Sequence, residues 1–347
     1  MRKPPGSRTH ERSDQLCTYR RADYKLYPNV SNQARFGNPC NNILVTDAEQ
    51  RLFLERIFML IGTHALVFTG TFGEAGLRHA IEKTKLAGFD LIEIPLMDPD
   101  SFDSKLAASL LADNELAVTA SLGLTEHTDL SSEDPAIVAA GERTLETCLD
   151  HVATMGGEYL CGVIYSAMRK YSAPPTAAGV ANSAAALARL AEKAKDRGIH
   201  LSLEVVNRYE TNVINTARGG LAFLEQVGHD NVSLHLDTYH MNIEESDQFS
   251  PVLDAADKLG YVHIGESHRG YLGTGTVNFD ELLRALARTG YDGPVVFESF
   301  SSAVVSPELS NTLGIWRNLW NDSDDLAAHA NRFIRDHLRA VETLALH

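Results

Sequence analysis

Four short apolar runs of the chain each end in a side chain that can bind a hard or borderline cation. They are His200-Leu-Ser-Leu-Glu204, Leu234-His-Leu-Asp237, Tyr261-Val-His263 and Val295-Val-Phe-Glu298. Taken singly, each has an ordinary explanation: a strand-end Asp often caps the next helix, and a lone His is usually a hydrogen-bonded core residue. Taken together they mean more, because three carboxylates buried side by side without a cation carry a large desolvation and repulsion cost. Three carboxylates and one imidazole suit Mn²⁺, Mg²⁺ or Co²⁺ better than a thiolate-seeking metal, with zinc still compatible, and they leave coordination positions for substrate oxygens.

Such a set works only if the fold brings the four strand ends together. From Met59 onward, short apolar runs alternate with longer segments of helical period, the pattern of repeated βα units around parallel strands. Eight strands are expected, at Leu60–Thr63, Leu91–Pro95, Leu116–Ala120, Tyr159–Ile164, His200–Val205, Val232–Leu236, Val262–Ile264 and Val295–Glu298. Ala184–Ala194 reads as an amphipathic helix, Ser132 with Glu133 as a helix start, and Gly88, Gly198, Gly260 and Gly290 as helix ends. Asp325–Leu344 reads as a final helix. The rhythm predicts an α/β (βα)8 TIM barrel with a C-terminal helical extension, an open doubly wound sheet being the alternative. In such barrels the active site lies at the C-terminal ends of the strands, where all four side chains fall. Alternation along His200–Glu204 puts Ser202 and Glu204 on one face and Leu201 and Leu203 on the other, which aims Glu204 into the lumen.

The βα loops that follow carry further polar residues: Asn207, Arg208 and Glu210, then His240 and Asn242, then Glu266, His268 and Arg269. Gly270, Gly273 and Gly275 have neither the spacing of a dinucleotide fingerprint nor a Walker lysine, so they read as a turn or lid.

Composition narrows the partners. The 347 residues carry a formal charge of −15, unevenly spread: residues 1–60 hold 10 Lys/Arg against 6 Asp/Glu, the remainder 21 against 40. An acidic body repels nucleic acid and anionic membranes and favours cations and small neutral substrates. Cys17, Cys40, Cys148 and Cys161 form no C-x-x-C pair, and the apolar stretch Phe58–Phe68 is interrupted and too short to span a bilayer. A cytoplasmic protein is expected. Residues 1–58, rich in Arg, Asn, Pro and Ser, read as a poorly ordered or atypical extension ahead of one domain over 59–347.

Four segments carry a resemblance: Leu203-Glu-Val-Val-Asn-Arg-Tyr-Glu-Thr-Asn212, His235-Leu-Asp-Thr-Tyr-His-Met-Asn-Ile-Glu-Glu245, Val262-His-Ile-Gly-Glu-Ser-His-Arg-Gly270 and Phe297-Glu-Ser-Phe300. From about Met59 to the C-terminus the chain resembles the D-tagatose 3-epimerase family, in its D-allulose (D-psicose) 3-epimerase and L-ribulose 3-epimerase branch. The resemblance implies that Glu204, Asp237, His263 and Glu298 bind one divalent metal, and that Glu204 and Glu298 also transfer protons. It implies that Glu210, His240 and Arg269 hold the O1 to O3 end of an unphosphorylated ketose, in a homodimer or homotetramer. Relatives begin near Met59, which makes residues 1–58 an unusual extension or the product of an upstream start. They also commonly carry Trp in the first βα loop where this chain has Phe68; His64 and Phe68 are expected at the pocket wall. An aldose–ketose isomerase or an inosose dehydratase on the same barrel is the rival reading.

Overall fold

A computed structural model describes residues 59–344; the expected extension at residues 1–58 lies outside them. The elements run β1 (Ile61–His64), α1 (Glu74–Leu86), β2 (Leu91–Pro95), α2 (Ser104–Asn114), β3 (Ala117–Ser121), α3 (Pro135–Met155), β4 (Tyr159–Gly162) and α4 (Ala177–Lys195). They continue with β5 (His200–Val205), α5 (Ala217–Val227), β6 (Val232–Asp237), two short helices α6 (Thr238–Glu244) and α7 (Ser250–Ala255), and β7 (Leu259–Ile264). Last come α8 (Phe279–Thr289), β8 (Val295–Phe297), α9 (Pro307–Thr312) and α10 (Ser323–Leu344). All eight strands are parallel, and β8 pairs back onto β1 through Ile61 with Val295, so the sheet is a closed barrel and the open-sheet alternative falls.

Strand alternation sorts the chemistry. Side chains facing outward, among them Ile92, Val118, Leu201, Leu234 and Val262, merge with the buried faces of the helices into the main core. The lumen is different: Leu91, Cys161, Tyr261 and Val296 form a small apolar cluster of their own. Polar side chains complete it, with Thr119 Oγ1 2.7 Å from the Tyr261 hydroxyl and Ser202 Oγ 2.9 Å from Ser233 Oγ. Each buried hydroxyl thereby finds a partner, as a dry interior requires.

Local chemistry sets the ends of the helices. Asp134, not Ser132, caps α3, accepting from the Ala136 amide at 2.8 Å; Ser132 instead accepts from the Asp134 amide. Gly88, Gly198 and Gly290 take positive φ where helices close. Gly260 does not; it lies inside β7, where an added Cβ would fall 2.0 Å from Ser233 Oγ. It is required by close approach to the adjacent strand β6, where the register shifts between Leu234 and His235, rather than by a turn. The final helix α10 buries Leu326, Ala327, Ala330 and Ile334, and Asn331 donates to the Ala87 carbonyl at 2.9 Å. No helix among the described residues is long and apolar enough to cross a membrane.

Candidate active site

The C-terminal ends of the strands surround a cavity of about 230 Å³. Glu204 near the end of β5, Asp237 at the end of β6, His263 on β7 and Glu298 just after β8 converge there, each offering a ligand atom within 4.8 Å of the others. His263 Nδ1 lies 3.6 Å from Glu204, 3.7 Å from Asp237 and 3.5 Å from Glu298. All four side chains are buried.

Asp237 combines the ordinary reading with the functional one. Its Oδ1 caps α6, accepting from the amides of Tyr239 at 2.6 Å and His240 at 3.4 Å. Its Oδ2 is buried without a hydrogen-bond partner, as is His263 Nδ1. Two buried, unpartnered atoms facing a cluster of carboxylates are what a cation would satisfy, so the cluster fits a metal of the oxygen-preferring class.

Electrostatics set the protonation of the metal-free cluster. Burial would raise Glu204, but His235, His263 and His240 outweigh it and hold it at about 2. Asp237 is likewise held far below the carboxylate range, burial being outweighed by His240, His263 and Arg269. Glu298 goes the other way: burial, with repulsion from Asp237 and Glu204, pushes it up to about 8 against the pull of Arg269 and His263. Burial opposes protonation of His263, but Glu93 and Glu298 raise it well above the usual imidazole range.

Around this cluster stand the other expected residues. Arg269 adopts φ +61°, a left-handed conformation uncommon for a non-glycine residue, stabilised where its amide donates to the Glu266 carbonyl at 2.8 Å. Its guanidinium pairs with Glu298, lies 3.6 Å from Asp237 and stacks 3.8 Å from the Tyr239 ring centroid. His240 Nδ1 accepts the Asn207 backbone N–H at 3.2 Å, so its proton resides on Nε2, which faces Glu204 at 3.6 Å and Glu210 at 4.0 Å. Glu210 is positioned by the Asn207 side-chain amide, which donates to it at 2.9 Å.

These geometries resemble known proteins. Residues 81–337 match the family described as xylose isomerase-like TIM barrel. A ketose 3-epimerase of Arthrobacter globiformis is 63% identical over 289 residues, 83% of this chain and 100% of that protein. An L-ribulose 3-epimerase of Methylomonas sp. is 56% identical over 274 residues, 79% of this chain and 96% of that protein. Among solved structures, a D-allulose 3-epimerase from Methylomonas sp. in complex with D-allulose superposes with a TM-score of 0.79 at 54% identity, covering 80% of this chain and 97% of that one. The chain belongs to the ketose 3-epimerase family. Its members are carbohydrate isomerases.

In this family member the rest of the cavity wall is mostly apolar, with Leu66, Met97, Leu122, Met168, Leu309 and Leu313 among its residues. His64 lines it as expected. Phe68 does not: it is buried in the main core, and Leu66 of the same turn lines the cavity instead. The reason is the turn itself, a single 3-10 turn over Ala65–Val67 that points successive side chains in different directions. Arg208 and Asn242 also lie outside, Arg208 pairing with Glu244 at 2.6 Å on the surface. Glu266 organises the glycine-rich segment by accepting from the amides of Ser267, Gly273 and Val277. Sequence reasoning missed Glu93 and His235. The available signal was a charge in the middle of the apolar run Leu91–Pro95 and an imidazole one alternation step before Asp237.

Proposed function

We propose that this protein catalyses the reversible C3 epimerisation of free ketoses with one divalent metal per subunit, Mn²⁺ or Mg²⁺, Co²⁺ also fitting. D-fructose/D-allulose, L-ribulose/L-xylulose and D-tagatose/D-sorbose are the candidate pairs. The observation that carries the reading is the approach of Glu204 and Glu298 to one buried point from β5 and β8, strands separated by β6 and β7. Epimerisation needs that arrangement: one base removes the C3 proton, and an acid on the opposite face returns one. Two carboxylates entering from different sides of the lumen supply both.

Glu204, Asp237, His263 and Glu298 would hold the metal. When bound, it supplies Lewis-acid polarisation of the C2 carbonyl and electrostatic stabilisation of developing negative charge. The protein's own groups do the proton transfer. One glutamate, ionised, takes the C3 proton as the C3–H pair forms the C2–C3 double bond and the C2=O π pair moves onto O2, giving a cis-enediolate. O2 then re-forms the carbonyl while the other glutamate, protonated at the start, delivers its proton to C3 from the far face. The return reaction exchanges the two roles. His240 Nε2–H, fixed by the Asn207 amide, donates to O1, and Glu210 accepts the O1 hydroxyl proton. Arg269 fixes O1 and O2. Holding that end keeps the returning proton on C3, since delivery elsewhere would give aldose isomerisation.

The reading extends to a homodimeric or homotetrameric assembly and a cytoplasmic location. Its test is direct: strip the metal, restore Mn²⁺, offer D-fructose, L-ribulose and D-tagatose, and identify the products. Metal-dependent appearance of the C3 epimer is expected. An aldose or a dehydrated product in its place would favour the isomerase or dehydratase alternative.

A further inference from the structure

One ionisable group in the lumen has no part in the chemistry described so far. Glu93, in the middle of β2, is fully buried beneath the cluster, and no lysine or arginine neutralises it within salt-bridge distance among the described residues. Two oriented donors hold its Oε2 instead, while its Oε1 has no hydrogen-bond partner. His263 Nε2 lies 2.8 Å from its Oε2, the Tyr261 hydroxyl 2.7 Å from the same atom, and His64 Nε2 3.4 Å from its Oε1.

The directions of these contacts follow from donor inventories. An ionised carboxylate only accepts, so Nε2 of His263 donates to it, and Nδ1 on the opposite side of the ring is the nitrogen left to ligate a cation once it is deprotonated. Tyr261 donates to Glu93, and Thr119 therefore donates to Tyr261 at 2.7 Å. His64 Nδ1 accepts the Leu66 N–H at 3.1 Å, which puts its proton on Nε2, shared between Ser121 Oγ at 3.4 Å and the vicinity of Glu93 Oε1. The carboxylate is thus anchored from β7, with Thr119 of β3 supporting Tyr261, and its strand register places it beside His64 and Thr119.

We infer that Glu93 is a positioning residue that fixes the tautomer and rotation of His263, so that Nδ1 points at the three carboxylates. The inference rests on the metal reading proposed above. Nδ1 of His263 is buried, unpartnered and 3.5 Å to 3.7 Å from Glu298, Glu204 and Asp237, the outcome such a clamp would produce. A carboxylate behind a ligating histidine holds the ring and raises its basicity, and losing one typically weakens metal affinity by roughly 10–100-fold.

The test measures Mn²⁺ binding by the full chain without substrate, from the free-Mn²⁺ electron paramagnetic resonance signal. Glu93→Gln removes the charge and keeps an acceptor; Glu93→Leu removes both. We expect a Kd increase of about 10-fold for the first and approaching 100-fold for the second. Long-range ¹H–¹⁵N spectra of the Mg²⁺-loaded, histidine-labelled protein provide a second readout. One imidazole with Nε2 protonated and Nδ1 bound is expected in the parent, and its loss or averaging in Glu93→Leu. A Kd within about 2-fold of the parent in Glu93→Gln, with that signature unchanged, overturns the inference even if stability drops. Should Glu93→Leu not fold, Glu93→Gln decides alone. A parent protein that binds no Mn²⁺ defeats the metal reading itself, and the inference with it.

Discussion

Strands β5 to β8 deliver Glu204, Asp237, His263 and Glu298 to the cavity, whereas β1 to β4 and the loops after them deliver Leu66, Met97, Leu122 and Met168, with His64 and Ser121 at the boundary. One half is a cluster of charges with two buried atoms left unpartnered; the other is a surface with few directional groups. The first half can fix a reacting centre within a fraction of an ångström. The second discriminates only by shape, and an apolar wall gives modest selectivity, on the order of 10–200-fold per methylene. Under the proposed function, the charged cluster would set the reaction, and the apolar wall, which also takes in Leu309 and Leu313 after β8, would set the substrate.

The largest effects belong to the charged half. Replacing Glu204 or Glu298 by Gln is expected to lower kcat by roughly 10²–10⁴-fold on every ketose, measured by steady-state product formation. Next come His240→Ala and Arg269→Ala, expected to cost about 10–100-fold and to let some aldose form, because the C1 end is no longer held. Unchanged turnover on every ketose would show that neither residue steers the substrate.

Metal uptake should also depend on pH. At neutral pH the metal-free Glu298, pushed up to about 8, holds a proton, as does His263, and both must release it to become ligands. Affinity is expected to rise with pH up to about 8, with proton release visible by calorimetry in buffers of different ionisation enthalpy. The same shift carries a stability sign. Because the folded value is raised, the native state binds more protons than the unfolded chain between the ordinary carboxylate range and about 8. Stability of the metal-free protein attributable to this group therefore falls across that window, and Glu298→Gln should remove that part of the slope in denaturant titrations.

The smallest catalytic effects belong to the apolar half. Met168→Ala is expected to shift the kcat/KM ratio of ketohexose to ketopentose by about 10-fold while C3 chemistry persists. Phe68→Ala sharpens the contrast: it should cost about 3–5 kcal/mol in unfolding free energy and leave that ratio unchanged, because Phe68 packs in the core.

Much of this was legible in the sequence, for a physical reason. Parallel strands buried on both faces read as apolar runs, so a Glu, Asp or His closing such a run is conspicuous, and β2 and β5 have the bounds expected from pattern alone. The misses lie where pattern carries no information about proximity. Glu93 lies within the expected strand Leu91–Pro95, and nothing in the pattern links it to the site until the closed barrel places it beside His263, 170 residues away. Phe68 looked like a pocket residue until a single 3-10 turn directed Leu66 there instead. Gly260 looked like a helix end because a glycine demanded by a neighbour on the adjacent strand has the same letter as one demanded by a turn.

The most direct test of two-glutamate chemistry is the fate of the C3 hydrogen. The Mn²⁺-loaded protein would be incubated with D-fructose, L-ribulose and D-tagatose in D₂O, and deuterium located by nuclear magnetic resonance. Deuterium at C3 of the epimerised product, dependent on metal and lost in both Glu204→Gln and Glu298→Gln, is the expected result. Epimer formed without C3 deuterium, or no C3 exchange in any of the three sugars, would contradict it.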